Sequence, residues 1–257
     1  MRNSWIFYQK EMLESFRSFK LIWIPVVFII LGIMQPLTLY YMADIMEAAG
    51  NMPPELLAGF ELPDAATVMV QSLGQYGTIG LLVLALATMN SLAGERSGGT
   101  AEMMLVRPLT PTAMTAAKWC AQFTLLLLAL GLGAAGAAYY TAELFGPLNW
   151  GRVAAASALY GLWLLCVVSL TLLFSAFLRP AVAAFLSLLS AAGLSLAFSL
   201  LPSRLDWTPA ALPALSASVL TEGGGVTVSP LISAALLILL CIGGAAQLAG
   251  RNKLPKE

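Results

Sequence analysis

Five ionisable side chains, Glu95, Arg96, Glu102, Arg107 and Lys118, share residues 94–118 with a glycine pair and two prolines, in a chain of 257 residues that is only 10% charged. Both signs alternate over a short interval, with no paired carboxylates and no histidine beside them. Groups arranged this way suit charge-assisted docking to another protein rather than acid–base or nucleophilic catalysis. A second small set, Lys10-Glu11, lies in the N-terminal twenty residues, and those residues carry both acids and bases between large apolar side chains.

Other chemistry is thin. Histidine is absent, which removes His-dependent zinc proteases, histidine-ligated haem and Ser-His hydrolysis together. Cys120, Cys166 and Cys241 lie in or beside apolar runs without CxxC spacing, so they suggest neither a disulfide framework nor a zinc site. Net charge is zero, with 13 basic and 13 acidic residues, and no basic field points to nucleic acid. This composition argues against an enzyme.

The elements that position the charged stretch are membrane spans. The chain is 59% hydrophobic, with a mean hydropathy of +0.84, against about 25% charged residues in an ordinary soluble domain. Six uncharged runs reach the ~20 residues that cross a bilayer, giving expected spans at about 21–43, 73–93, 119–142, 153–178, 180–203 and 226–250. The fold class is therefore an all-α integral membrane protein, a single transmembrane domain over 1–257. Gln71, Gly74, Gln75 and Gly77 are taken as the approach to the second span. Residues 1–20 read as an amphipathic interfacial helix, with Trp5, Tyr8, Met12, Phe16 and Phe19 recurring on one side.

Eleven lysines and arginines fall on the side of the termini and of residues 94–118, against Arg152 and Arg204 on the other. The positive-inside bias then places both termini in the cytoplasm. The acidic loop between Asp44 and Asp64 faces outward, and so does the proline-containing stretch 202–225, which either dips into the membrane or lies at its surface. None of the six runs holds an ionisable side chain, which argues against a proton- or sodium-coupled carrier.

Local signals shape residues 94–118. Gly98-Gly99 breaks the second span, Thr100 caps a new helix with Glu102 in its first turn, and Pro108 ends that helix. Thr110-Pro111 then opens the next helix, which continues into the third span. A short helix tied to two spans results, and a force on it moves both.

The pattern Glu95-Arg96-x-x-Gly99-Thr100-x-Glu102-x-x-Leu105-x-x-Pro108, with Lys118 ahead of a span, resembles the cytoplasmic segment of ABC-2 type ATP-binding-cassette permeases. Lys10-Glu11 in an amphipathic N-terminus, six spans and the chain length resemble the same family. The resemblance implies a half membrane domain that works as a homodimer, or beside a paralogous permease, in the bilayer of the bacterial cytoplasmic membrane. It also implies two copies of a separate ABC ATPase subunit that hold ATP and Mg, with no cofactor in this chain. Lys10, Glu11, Glu95, Arg96, Gly99, Thr100, Glu102, Leu105 and Pro108 are then residues of the ATPase-coupling interface, the last seven in and around a coupling helix. The expected function is export of an amphipathic or apolar substrate such as a peptide, antibiotic or lipid-like molecule. The alternative is a membrane-bound regulator or scaffold that a partner ATPase moves without cargo.

Overall fold

A computed structural model describes residues 2–48, 62–97 and 110–251. Every regular element among these residues is helical: α1 (Arg2–Arg17), α2 (Lys20–Tyr40), α3 (Met42–Ala48), α4 (Ala65–Gln75), α5 (Leu81–Thr88), α6 (Asn90–Ser97), α7 (Pro111–Phe145), α8 (Trp150–Ser175), α9 (Pro180–Leu200), α10 (Leu212–Thr221) and α11 (Ser229–Arg251). Six helical stretches are long and apolar enough to span a membrane: Lys20–Tyr40, Ala65–Gly94, Pro111–Phe145, Trp150–Ser175, Pro180–Leu200 and Ser229–Gly250.

Helix starts follow local chemistry. The Thr110 hydroxyl accepts from the Ala113 amide with Pro111 in the first turn of α7, and the Asn149 side chain accepts from the Arg152 amide to open α8. Between them Gly146, at φ 110°, ends α7 in a conformation that only glycine adopts without strain. The second span starts about two turns earlier than expected. Asp64 caps α4 through Thr67, so Gln71, Gly74 and Gln75 sit inside the helix rather than ahead of it. The stretch from Ala65 has no proline to stop it, and polarity alone does not end a helix.

Helix α8 is the centre of the bundle, packed against α5, α7, α9, α10 and α11. Its most apolar window is 61% buried, against 22% for the same measure on α9. The closest crossing is between α2 and α7. A Cβ placed on Gly32 would lie 2.6 Å from the Gly133 carbonyl, and one on Gly133 would lie 2.8 Å from the Phe28 carbonyl. Small residues here let two backbones meet. Tyr76 closes this crossing, fully buried, stacked on Phe28 at 5.0 Å and donating its hydroxyl to the Phe28 carbonyl at 3.2 Å.

Tyr76 begins a π-helical turn, Tyr76–Gly80, that divides the second span. Within residues 202–225, exposed turns lead into a helix at the bundle rather than into a plain surface loop. After a 3₁₀ turn at Pro209–Ala211, α10 packs into the bundle through buried Leu212, Val219 and Leu220, and Ser216 donates to the Ala156 carbonyl at 2.8 Å.

Candidate functional site

Polar side chains gather where α1 meets the ends of α2, α6 and α7. Lys118 is only 3% exposed, and its ammonium lies 3.0 Å from Glu11 Oε1. Lys10 donates to the same carboxylate oxygen at 3.0 Å and lies 3.2 Å from Glu14 Oε2. Beneath them the Phe7 ring has Lys10 Nζ 5.1 Å and Lys118 Nζ 5.9 Å from its centre. Glu11 and the Phe7 ring thus lie against both cations, with Glu14 against Lys10 as well.

The sequence builds this cluster by helical spacing. Phe7 and Glu11 lie one turn apart and Phe7 is buried, while Trp5, Ile6, Leu13 and Phe16 are exposed. Phe7 packs into a small apolar cluster with Leu92, Met114, Ala117, Leu172 and Ala245, so this cluster joins α1 to the ends of several spans. Phe19 sets the helix direction. It adopts φ 58° between α1 and α2, a left-handed conformation that breaks the helix so that α1 folds back along α7.

Further bonds tie the neighbouring elements. Tyr8 and Thr124 share a hydrogen bond at 3.0 Å between α1 and α7. Gln122 accepts from Thr88 at 3.3 Å and donates to Ser91 at 3.2 Å, joining α7 to both α5 and α6. Lys20 donates to the Ala87 carbonyl at 2.9 Å, and Trp119 donates to Ser169 at 2.8 Å. A cavity of about 500 Å³ lies among them, lined by Lys10, Glu11, Glu14, Lys20, Asn90, Ser91, Lys118 and Gln122.

Of the residues expected at a coupling interface, Lys10 and Glu11 stand together in this cluster. Glu95 and Arg96 lie on α6, whose Asn90, Ser91 and Gly94 line the same cavity; their side chains are outside the described residues. Gly99, Thr100, Glu102, Leu105 and Pro108 also lie outside the described residues. The sequence reading used Lys118 as a cation at the entry to a span and gave no site role to Phe7, Lys20 or Gln122. The signal for Lys118 was its place about two turns inside a capped apolar helix, where an unpaired lysine is costly.

Residues 5–212 match the family described as ABC-2 family transporter protein. The uncharacterized transmembrane protein YxlG of Bacillus subtilis is similar, at 35% identity over 216 residues that cover 84% of each chain.

Proposed function

This chain belongs to the ABC-2 family of transporter proteins, and from that premise we propose that it is the permease half of an ATP-driven exporter in a bacterial cytoplasmic membrane. Two copies pair into the pathway, and two separate ATPase subunits supply energy from bound ATP and Mg. Both termini and residues 94–118 face the cytoplasm, as the lysine and arginine distribution favours. Amphipathic molecules are the cargo.

The observation that carries this reading, beside family membership, is the ionic cluster. It welds α1 to α7 through Glu11 and Lys118, while Gln122 welds α7 to α5 and α6. Helices α6 and α7 flank residues 98–109, so a push on that segment enters two spans already joined at their base. In this reading Glu95, Arg96, Gly99, Thr100, Glu102, Leu105 and Pro108 meet the ATPase, with Lys10 and Glu11 beside them. ATP-driven closure of the ATPase pair moves these ends, and the close-packed bundle follows as rigid bodies.

Co-expression with a candidate ABC ATPase subunit tests the proposal. The expected result is a co-purified assembly of two permeases and two ATPases, whose cargo-dependent ATP hydrolysis falls with Glu95→Ala or Glu102→Arg while membrane insertion is unchanged. A functional monomer, or full coupling in both variants, overturns it.

A further inference from the structure

Most hydroxyls in the spans are satisfied by their own helices. Ser169, Thr171, Ser175, Ser187 and Ser190 each donate to a carbonyl three or four residues back. Three glutamines behave differently. Gln75 Nε2 donates to Gln35 Oε1 at 2.8 Å, and Gln35 Nε2 donates to Gln71 Oε1 at 2.9 Å, a chain of amides bridging α2 and α4. Gln71 is exposed and the other two are partly so.

Their depth follows from helix rise. Lys20 touches the Ala87 carbonyl, which fixes one level on both spans. At about 1.5 Å per residue, Gln35 lies about 22 Å along α2 from Lys20, while Gln75 and Gln71 lie about 18 and 24 Å from Ala87. With the Lys20–Ala87 level taken as the cytoplasmic edge of the ~30 Å hydrocarbon layer, all three fall inside it. An amide facing lipid at that depth has nothing to bond with, so this face is not a lipid face.

The surroundings are polar and open. Gln71, Gly74, Gln75 and Thr78 lie on one side of the second span, with Thr38 exposed one turn beyond Gln35. A Cβ at Gly74 would meet nothing within 4 Å. The chain also has unused ends: Gln71 keeps both amide hydrogens, and Gln75 keeps its carbonyl oxygen. Turning all three amides over reverses the direction and still leaves donors at one end and an acceptor at the other. A backbone amide, with one C=O and one N–H, matches both.

We infer that the Gln35–Gln71–Gln75 chain is a water-accessible binding station for amide-bearing, peptide-like cargo. This rests on the permease reading and narrows its substrate class. The glutamines hold cargo by hydrogen bonds in the outer half of the bundle, and Gly74 leaves the room it needs.

The test uses the full chain in membrane vesicles, with Cys120→Ser as background because Cys166 and Cys241 are buried. Gln71→Cys is treated with a membrane-impermeant charged maleimide, beside Tyr139→Cys, an exposed position on α7 that lies about as far beyond Gly133 as Gln35 lies beyond the Phe28–Gly32 crossing. Labelling at Gln71→Cys should be at least about ten-fold faster, as wetting requires, and a blocked dipeptide amide should slow it about two-fold at half-saturation. Equal rates at the two positions overturn the station, and fast labelling that the dipeptide leaves unchanged overturns the peptide-like cargo. Cross-linking of Gln71→Cys between copies without labelling makes the stripe a pairing surface and also overturns the proposal. Labelling needs no ATP hydrolysis, so its failure leaves the permease reading intact, whereas failed ATPase co-purification strikes only that reading.

Discussion

Two polar clusters among the described residues differ in how completely the chain satisfies them. At the end of the bundle near α1, Glu11 holds Lys118 and Lys10 over the Phe7 ring, and Lys118 is almost entirely buried. In the opposite half, Gln35, Gln71 and Gln75 bond to one another and leave amide capacity exposed. Charge forces the first to be closed, because a buried ion without its partner is far costlier than a buried amide. Neutral amides tolerate being left open, and that makes the second cluster able to receive something.

Removing one partner of the closed cluster should do the most damage. Glu11→Leu is expected to cost about 3 kcal/mol, as breaking a buried ion pair does, with a lowered thermal transition in detergent and faster proteolysis in α1. Combining it with Lys118→Met should restore part of that loss; strictly additive losses would mean that the two side chains are not coupled.

Tyr76→Phe comes next. It leaves the stacked ring and deletes one hydroxyl bond to Phe28, for an expected loss of about 1 kcal/mol in the same thermal assay. This variant asks whether the α2–α7 crossing, which lies between the two clusters, depends on that bond.

The open cluster should respond least in stability. Gln71→Leu is expected to stay within about 0.5 kcal/mol of the parent, as exposed substitutions usually do. A loss as large as that of Glu11→Leu would show that the amide chain is a structural brace, and the contrast between the clusters would fail.

Asp64 gives the smallest and most pH-dependent effect, on the helix that carries Gln71 and Gln75. Its hydrogen bonds from Thr67 hold the carboxyl below the usual range, so its cap favours the folded state at neutral pH. That contribution shrinks as pH falls below about 4, the unfolded value, and vanishes below the folded value. Asp64→Ala should cost about 0.5 kcal/mol at pH 7, and its difference from the parent should close in acid; a constant difference down to pH 3 would remove the cap from the account.

Several features were readable without coordinates because they depend on neighbours in the chain. The Thr110-Pro111 helix start is one, since cap and proline act within a single turn. The six spans are another, set by run length against bilayer thickness. Gln71 and Gln75 were misread as a polar approach because the same residues serve equally well ahead of a span or inside one, and only the Asp64 cap decides between them. Stretch 202–225 left two readings open; packing of Leu212 and Ser216 against α8 decided for a helix inside the bundle.

By itself the sequence determined an all-helical membrane chain, the absence of histidine chemistry, and the place of its charge, because hydropathy and composition are sums over local residues. Tertiary structure alone decided that Lys118 finds Glu11, 107 positions away in the chain, and that Gln35 meets Gln71 and Gln75. Those pairings depend on the left-handed turn at Phe19 and on the close approach at Gly32 and Gly133. Partner choice across helices is fixed by crossing geometry, which no stretch of neighbouring residues contains.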